Sequence, residues 1–230
     1  MERPPTTWMQ QDQPQPALPP LPNVDADRAA PFLLPAGAAL YHAGQPGRHA
    51  WQLVHGCMRL DDEAASRERF VQLTLAGELL GTEPWLGLPH ACTARALTDC
   101  KLHALRLPDC VALPVWLGHA LCQQARRAAQ MVGLRTGSAP ERVRRLLLLL
   151  STNADHGGPQ TGQSDHVLPR IKDIATIVDT TPETVSRIIS SLRRSRVLLG
   201  RHARFACFDA AQLAGLTLPP GMTSSGNHSG

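Results

Sequence analysis

Residues 171–192 read IKDIATIVDTTPETVSRIISSL, and this stretch decides how the C-terminal part of the chain folds. Ile174, Ala175 and Val178 recur at helical spacing and give one short apolar face. A turn at Asp179 then interrupts the helix, since Asp is among the few residues besides glycine that tolerate a left-handed backbone. Ala175 is small at a place where two helices must approach closely. The pattern therefore predicts a short helix that ends in a tight turn.

A second helix follows this turn directly. Thr181 can accept a hydrogen bond as its N-cap, and Pro182 suits the first helical position because that position needs no intrahelical N–H donor. The inward-facing apolar residues of this helix are Val185, Ile188, Ile189 and Leu192. The helix, the tight turn and the second helix together predict a helix-turn-helix.

The opposite face of the second helix is polar. It carries Glu183, Ser186, Arg187 and Ser190. Arg side chains bind the major-groove edge of guanine, Glu accepts from cytosine, and Ser can pair with several bases. We therefore expect Glu183, Ser186 and Arg187 to contact DNA bases.

Basic residues continue beyond this helix, and no acidic residue lies between Arg187 and Arg204. Residues 197–199 and 205–208 are apolar and flank a Gly-Arg-His turn, which predicts a β-hairpin or wing. A basic stripe of this kind suits backbone phosphates. We expect phosphate contacts from Thr181, Thr184, Ser190, Arg194, Arg201 and Arg204. The alternative is a small helical core with solvated arginines, which does not explain why the cap, the polar face and the basic hairpin occur together.

The sequence between residues 32 and 107 has a different period. Short apolar stretches alternate with Gly and Pro turn signals, and Val71, Leu73 and Leu75 alternate with polar residues as in a half-buried strand. Many short strands at close spacing predict a β-sandwich, roll or barrel.

A helix of about 20 residues is predicted after Pro114, because apolar residues recur there at intervals of three and four. These residues, the apolar stripe, are Leu117, Leu121, Ala125, Ala128 and Val132. The stripe either packs on its own domain or pairs with a second copy in a coiled-coil-like seam. Periodicity alone does not separate these alternatives.

A further helix begins near Ser138, where Ser138 and Glu141 have the spacing of a capping box and Pro140 lies in the first turn. The apolar residues that follow at helical spacing are Val143, Leu146, Leu147 and Leu150. Residues 152–166 are polar and predict a loop.

The bulk composition narrows the class of protein. The chain has 230 residues, 43% of them apolar, and a net charge of only +4 that does not by itself identify a nucleic-acid binder. No apolar run approaches a membrane span and no signal peptide is visible, which points to the cytoplasm and to reduced cysteines. Residues 1–28, rich in Pro and Gln, and the tail at residues 218–230 are expected to be disordered.

The second helix, with E-T-V-S-R at residues 183–187, resembles the recognition helix of the Crp/Fnr family of bacterial transcription regulators, and its Fnr-like branch in particular. The resemblance implies an α+β chain: a cyclic-nucleotide-binding-like β-roll at 29–112, a long dimerisation helix at 113–137 and a winged helix-turn-helix at 138–217. It also implies a homodimer on double-stranded DNA that contacts RNA polymerase, with half-sites about 34 Å apart. The operator it implies is TTGAT-N4-ATCAA.

The resemblance places the effector pocket at Thr82, Cys92 and Thr93, and here the chain departs from the family. Members that bind cyclic nucleotides hold them with Glu and Arg, which these positions lack, so cyclic AMP is not expected. An iron–sulfur cluster is not expected either, because no cysteine precedes Cys57 and His103 stands at the β-roll ligand position.

Haem remains an open alternative among cofactors, although none is predicted. The histidines that could serve as its ligands are His42, His55, His90, His103 and His119. Cys92 and Cys100 are candidate oxidant sensors, but no flanking cationic pattern marks a low thiol pKa.

Two other functions compete with a DNA-binding regulator. An enzyme is disfavoured because no nucleophile elbow, P-loop, H-E-x-x-H or dinucleotide motif occurs. The second alternative is a β-roll module that regulates a protein partner without binding DNA, and the intact polar face of residues 183–190 argues against it. A third interpretation is a regulator that has lost its sequence specificity, which would bind DNA weakly, in a salt-sensitive way and without sequence preference.

Overall fold

The computed structural model describes residues 30–62, 69–106, 111–151, 164–199 and 205–215. The predictions of disordered ends and the predicted phosphate contacts of Arg201 and Arg204 lie outside these residues. Most of the predicted loop at 152–166 does so as well.

The N-terminal half is built from two four-stranded antiparallel sheets. The first sheet has the order β1 (Phe32–Leu34), β8 (Cys100–Leu105), β3 (Ala50–His55) and β6 (Leu79–Leu80). The second has the order β2 (Ala39–Tyr41), β7 (Thr93–Ala96), β4 (Cys57–Asp62) and β5 (Arg69–Leu75). A 3-10 turn, Glu83–Leu86, separates β6 from β7. The predicted class of many short strands is confirmed.

Strand β5 departs from the predicted alternation at two residues, because Thr74 is buried although its polar side chain was expected to face outward, and Val71 is exposed. Leu73 and Leu75 are buried as expected, but Val71 is 39% exposed. The register with β4 passes from the Leu60–Gln72 pair to the Asp61–Phe70 pair, so Val71 faces no partner residue. This β-bulge turns Val71 outward, because an extra residue in one strand shifts the side-chain alternation.

Five helices complete the described fold. They are α1 (Leu113–Gly133), α2 (Ala139–Ser151), α3 (Ile171–Ile177), α4 (Pro182–Arg194) and α5 (Ala210–Ala214). The predicted capping box at the start of α2 is confirmed, since Glu141 Oε2 accepts hydrogen bonds from Ser138 N at 2.8 Å and from Ser138 Oγ at 2.9 Å. These hydrogen bonds lower the pKa of Glu141. No helix among the described residues is long and apolar enough to cross a membrane.

Helix α1 packs on the sheets mainly through residues outside the apolar stripe, although Leu117 of the stripe is half-buried and packs against the same cluster. Trp116 lies edge-on to Trp85, with ring centroids 5.8 Å apart. The Gln123 carboxamide donates to Leu79 O and accepts from Leu79 N, both at 2.8 Å. Arg127 forms an ion pair with Glu78 on the same face. Polar contacts thus fix the rotation of α1 about its axis.

The C-terminal helices share one apolar core with the second sheet. Helices α2, α3 and α4 contribute buried residues such as Leu146, Ile174 and Val185. The sheet contributes Cys57, Phe70, Leu73, Leu75 and Leu97 to the same cluster. The C-terminal helices and the second sheet therefore belong to one apolar cluster, which also includes Met131 and Leu134 at the end of α1.

The loop predicted at 152–166 is wrong at its end, because Ser164–Val167 forms strand β9. This strand pairs antiparallel with β10, Phe205–Phe208. Four residues form no strong period, and the partner strand lies far along the chain, so the sequence pattern did not reveal it. Helix α5 was not predicted, although Asp209 caps it by accepting from Ala211 N at 2.7 Å.

Candidate nucleic-acid interface

The turn between α3 and α4 has the geometry that the sequence predicts. Asp179 adopts a left-handed backbone with φ of 52°. Thr180 N donates to Ala175 O at 2.9 Å and closes the turn. Ala175 is buried in the apolar cluster that α3 and α4 share, which agrees with a small residue between closely packed helices.

Helix α4 begins at the predicted cap. Thr181 Oγ1 accepts a hydrogen bond from Thr184 N at 3.2 Å, and Pro182 occupies the first turn. The four predicted inward residues, Val185, Ile188, Ile189 and Leu192, are all buried. Their burial fixes which side of α4 faces outward.

The outward face of α4 brings the predicted base-contacting residues together. Glu183, Ser186 and Arg187 are exposed and lie within one helical turn of each other. Arg187 Nη2 donates to Thr184 Oγ1 at 3.4 Å, and Arg187 makes no ion pair among the described residues. The guanidinium is therefore held loosely and can turn toward a base edge.

The residues predicted to hold phosphates surround this face. Thr181, Ser190 and Arg194 are exposed, and Thr184 is half-buried beside the cap. Beyond α4 the backbone turns at Arg196, which has φ of 58°. The described part of the chain thus places these four residues along the edges of the reading face.

The predicted wing is confirmed at its base. Leu199 N donates to Cys207 O at 2.7 Å, and Cys207 N donates to Leu199 O at 2.8 Å. This antiparallel bridge joins the chain after α4 to β10. Strand β9 pairs with the other edge of β10, and the local sequence pattern did not predict this pairing.

A second candidate site is a cavity of about 190 Å³ against α1 in the β-domain, the effector pocket. The structure brings the predicted residues Thr82 and Cys92 together in its lining. Thr93 is not part of that lining, because it is buried and its Oγ1 accepts from Ala43 N at 2.9 Å. Of the described residues that line the pocket, Glu83 alone is charged. A carboxylate without a lining cation disfavours an anionic ligand.

His90 lies behind this pocket, and the sequence marked it only as one of five possible haem ligands. Its ring stacks on Tyr41 with centroids 3.7 Å apart, and its Nδ1 is 3.7 Å from Glu83 Oε2. Burial lowers the pKa of His90, and the nearby Glu83 only partly opposes this. A Cβ at Gly47 would come within 2.6 Å of His90 Nε2, so protein covers both ring nitrogens. His90 therefore does not fit a haem ligand.

The two cysteines that the sequence marked as candidate oxidant sensors, Cys92 and Cys100, are unsuited to rapid oxidation. Burial raises the pKa of Cys92, and it raises the pKa of Cys100 to about 11. Because the thiolate is the reactive form, both residues are weak nucleophiles. Among the described residues, no three His, Cys, Asp or Glu side chains form a group that could hold a metal ion.

Two family models match the chain. The model of the cyclic nucleotide-binding domain matches residues 32–113, and that of the Crp-like helix-turn-helix domain matches residues 141–216. Together they span both sheets and the helices of the DNA-binding half.

Named relatives agree with these matches. The transcriptional regulator LdrP of Thermus thermophilus is 27% identical over 178 residues, which cover 76% of this chain and 90% of LdrP. A CRP-family transcriptional regulator of known structure, also from Thermus thermophilus, has a similar fold, with a TM-score of 0.65 and 24% identity over 83% of this chain and 100% of the other. FixK2 from Bradyrhizobium japonicum also has a TM-score of 0.65, with 24% identity over 84% of this chain and 98% of FixK2. The chain belongs to the Crp/Fnr family of DNA-binding transcription regulators.

Proposed function

We propose that the protein is a homodimeric regulator of the Fnr-like branch that binds a palindromic operator close to TTGAT-N4-ATCAA. The observation that carries this proposal is the outward face of α4, with exposed Glu183, Ser186 and Arg187 on a helix whose other side is buried. Glu accepts from cytosine N4 and Arg pairs with guanine, so the two residues together select a short base sequence. The relative LdrP is a transcriptional regulator.

Phosphate contacts hold this face in register with the groove. Thr181, Thr184, Ser190 and Arg194 border it in the structure. Arg201 and Arg204 extend the basic stripe in the sequence. Such contacts position the protein without adding sequence information, and each makes the affinity depend on salt.

The dimer forms through the apolar stripe of α1. Leu121 is 69% exposed and Val132 is 63% exposed, while Ala125 and Ala128 are exposed between them. The other face of α1 packs on its own domain. The same helix can therefore pack on its own domain with one face and pair with a second copy through the apolar stripe. A continuous apolar strip in water favours pairing with a second copy.

The regulator acts without cyclic AMP and without an iron–sulfur cluster. The effector pocket presents Glu83, Thr82 and Cys92 where a cyclic phosphate would need a cation. Family membership supports RNA polymerase as a partner and the cytoplasm as the location.

The test is a gel-shift titration in air, at fixed salt, with a TTGAT-N4-ATCAA duplex and a scrambled duplex. Tight and selective binding that cyclic AMP leaves unchanged supports the proposal. Equal affinity for both duplexes overturns the operator assignment. A clear rise in operator affinity with cyclic AMP overturns the independence from that ligand.

A further inference from the structure

Helix α2 lies in the chain between α1 and the helix-turn-helix, and two of its arginines bind to the segments on either side. Residues 134–138 form the linker that joins α1 to α2. Arg145 reaches back to the end of α1 and to this linker. Arg142 lies three residues earlier on α2 and reaches forward to the turn before α4. Residues at this spacing are neighbours on a helix surface, so a single turn of α2 connects α1 to the reading face.

Arg145 holds the carboxyl end of α1. Its Nη1 donates to Gly133 O at 2.8 Å and to Thr136 O at 2.7 Å. The last carbonyls of a helix have no intrahelical donor, and a cation beside them is favourable. The last turn of α1, residues 130–133, contains no basic residue, so α2 supplies this cation. A rotation of α2 away from the end of α1 would break both hydrogen bonds.

The linker between α1 and α2 is closely packed. Gly137 has φ of 87°, and a Cβ at this position would come within 2.7 Å of Glu141 Oε2. Glu141 is itself held by the capping box with Ser138. Arg135 Nη2 donates to Phe70 O at 2.8 Å and ties the linker to strand β5. The path from α1 to α2 is therefore fixed by contacts on several sides.

Arg142 connects α2 to the helix-turn-helix. Its Nη1 donates at 3.0 Å to the backbone oxygen of Asp179, the left-handed residue of the turn between α3 and α4. Val143 and Leu147 of α2 are buried in the same apolar cluster as Ile188 of α4. In a dimer, the separation of the two α4 helices has to match the separation of the half-sites. The contacts that fix α4 relative to α1 therefore bear on that separation.

We propose that Arg142 and Arg145 are positioning residues for DNA binding: they hold α4 relative to α1 and so set how many base pairs, the spacer, separate the half-sites that the dimer accepts. This inference rests on the proposed homodimer and its palindromic operator. One added base pair moves the half-sites apart by about 3.4 Å and rotates them by about 35°. A dimer with a fixed α4 cannot follow this change. Without either arginine, α4 adapts to other spacers and still reads the same bases.

The test uses the full chain and spacers of different length. The wild type first selects its sites from a random duplex pool, so the test does not depend on the TTGAT half-site. The spacer of the selected site is then shortened or lengthened by one base pair, and gel-shift titrations at fixed salt measure the affinities.

The variants are Arg142→Gln and Arg145→Gln. The matched control is Arg144→Gln, which removes the same charge from the same helix, but Arg144 Nη1 donates to Ala214 O at 2.6 Å, within the DNA-binding half. Circular dichroism verifies that each variant is folded. Arg145→Lys, which keeps the charge without the planar fork, replaces Arg145→Gln if that variant does not fold.

We expect the wild type and Arg144→Gln to bind the selected spacer at least about tenfold more tightly than either altered spacer, and both positioning variants to keep less than about a third of that ratio. A base substitution within the half-site should weaken binding by the same factor in all four proteins, because the reading face is unchanged. Spacer ratios equal to the wild type in both positioning variants overturn the proposal. Base preference lost together with spacer preference also overturns it, because α4 would then be disrupted and not displaced.

Failure of the proposed function has a different result. Selected sites with paired half-sites of another sequence overturn only the operator assignment, and the spacer test proceeds with them. Selected sites with a single half-site overturn the dimeric function itself, and the positioning role with it.

Discussion

The substitution Leu121→Asp tests the dimer seam directly. Burial of a whole leucine side chain stabilises by about 2 kcal/mol. Because Leu121 is 69% exposed in one chain, about 1.4 kcal/mol of this remains available to a partner. A dimer contains two copies, so the variant should lose at least about 3 kcal/mol of dimerisation free energy. That loss corresponds to a dimer dissociation constant raised about 100-fold or more.

Sedimentation equilibrium over a dilution series measures this constant. The matched control is Leu33→Asp, because Leu33 on strand β1 is 71% exposed and lies outside the α1 stripe. The control should dimerise like the wild type, and circular dichroism should show the same folded helix and strand content in both variants. Equal weakening by the two substitutions, or a wild type that stays monomeric at all concentrations, would refute the α1 seam.

Three other predictions concern single residues. Arg187→Ala should weaken operator binding by about 1–3 kcal/mol per half-site and relax the base preference there, whereas Arg194→Ala should weaken binding to all duplexes alike and lower the salt slope. Competition titrations with base-substituted duplexes compare the two variants. A base preference that Arg187→Ala leaves intact contradicts the assignment of Arg187 as a base-contacting residue. Thr181→Ala should lower the free energy of unfolding by about 0.5–2 kcal/mol because it removes the N-cap of α4, and Thr181→Ser should restore that stability. Urea unfolding measures both variants. Equal stability of the two variants speaks against the cap. The pKa of His90 is lower in the folded chain than in the unfolded chain, so the unfolded chain binds more protons and stability should fall as the pH drops below about 6.5, the usual His value. His90→Phe preserves the stacking on Tyr41 and should flatten this part of the thermal stability profile; an unchanged profile removes His90 as its cause.

The helix-turn-helix could be predicted from the sequence because its signals are local. A cap, a left-handed Asp and a run of inward residues all fall within residues 171–192, and each has a physical reason that acts over a few residues. The structure places Asp179 and Thr181 as that reasoning required.

Features that depend on distant residues could not be predicted in this way. The bulge that exposes Val71 arises from the register with β4, and strand β9 forms only because β10 returns to pair with it. The cleft between the second sheet and helix α3 is lined by Arg59, Arg95 and Arg170, which have no common motif. Of the three residues predicted to form an effector pocket, Thr82 and Cys92 line the cavity against α1, whereas Thr93 is buried outside its lining and accepts a hydrogen bond from Ala43 N.

The core that α2, α3 and α4 share with Phe70, Leu73 and Leu75 limits how modular this regulator is. The DNA-binding half cannot be detached without stripping apolar side chains on both sides of the cut. A truncated C-terminal fragment should therefore aggregate or melt early, whereas the intact chain should unfold as one cooperative unit. Exchange of the β-domain between relatives would succeed only where the incoming domain presents apolar residues that fit the helices at these positions, so the two halves of the chain are constrained to evolve together.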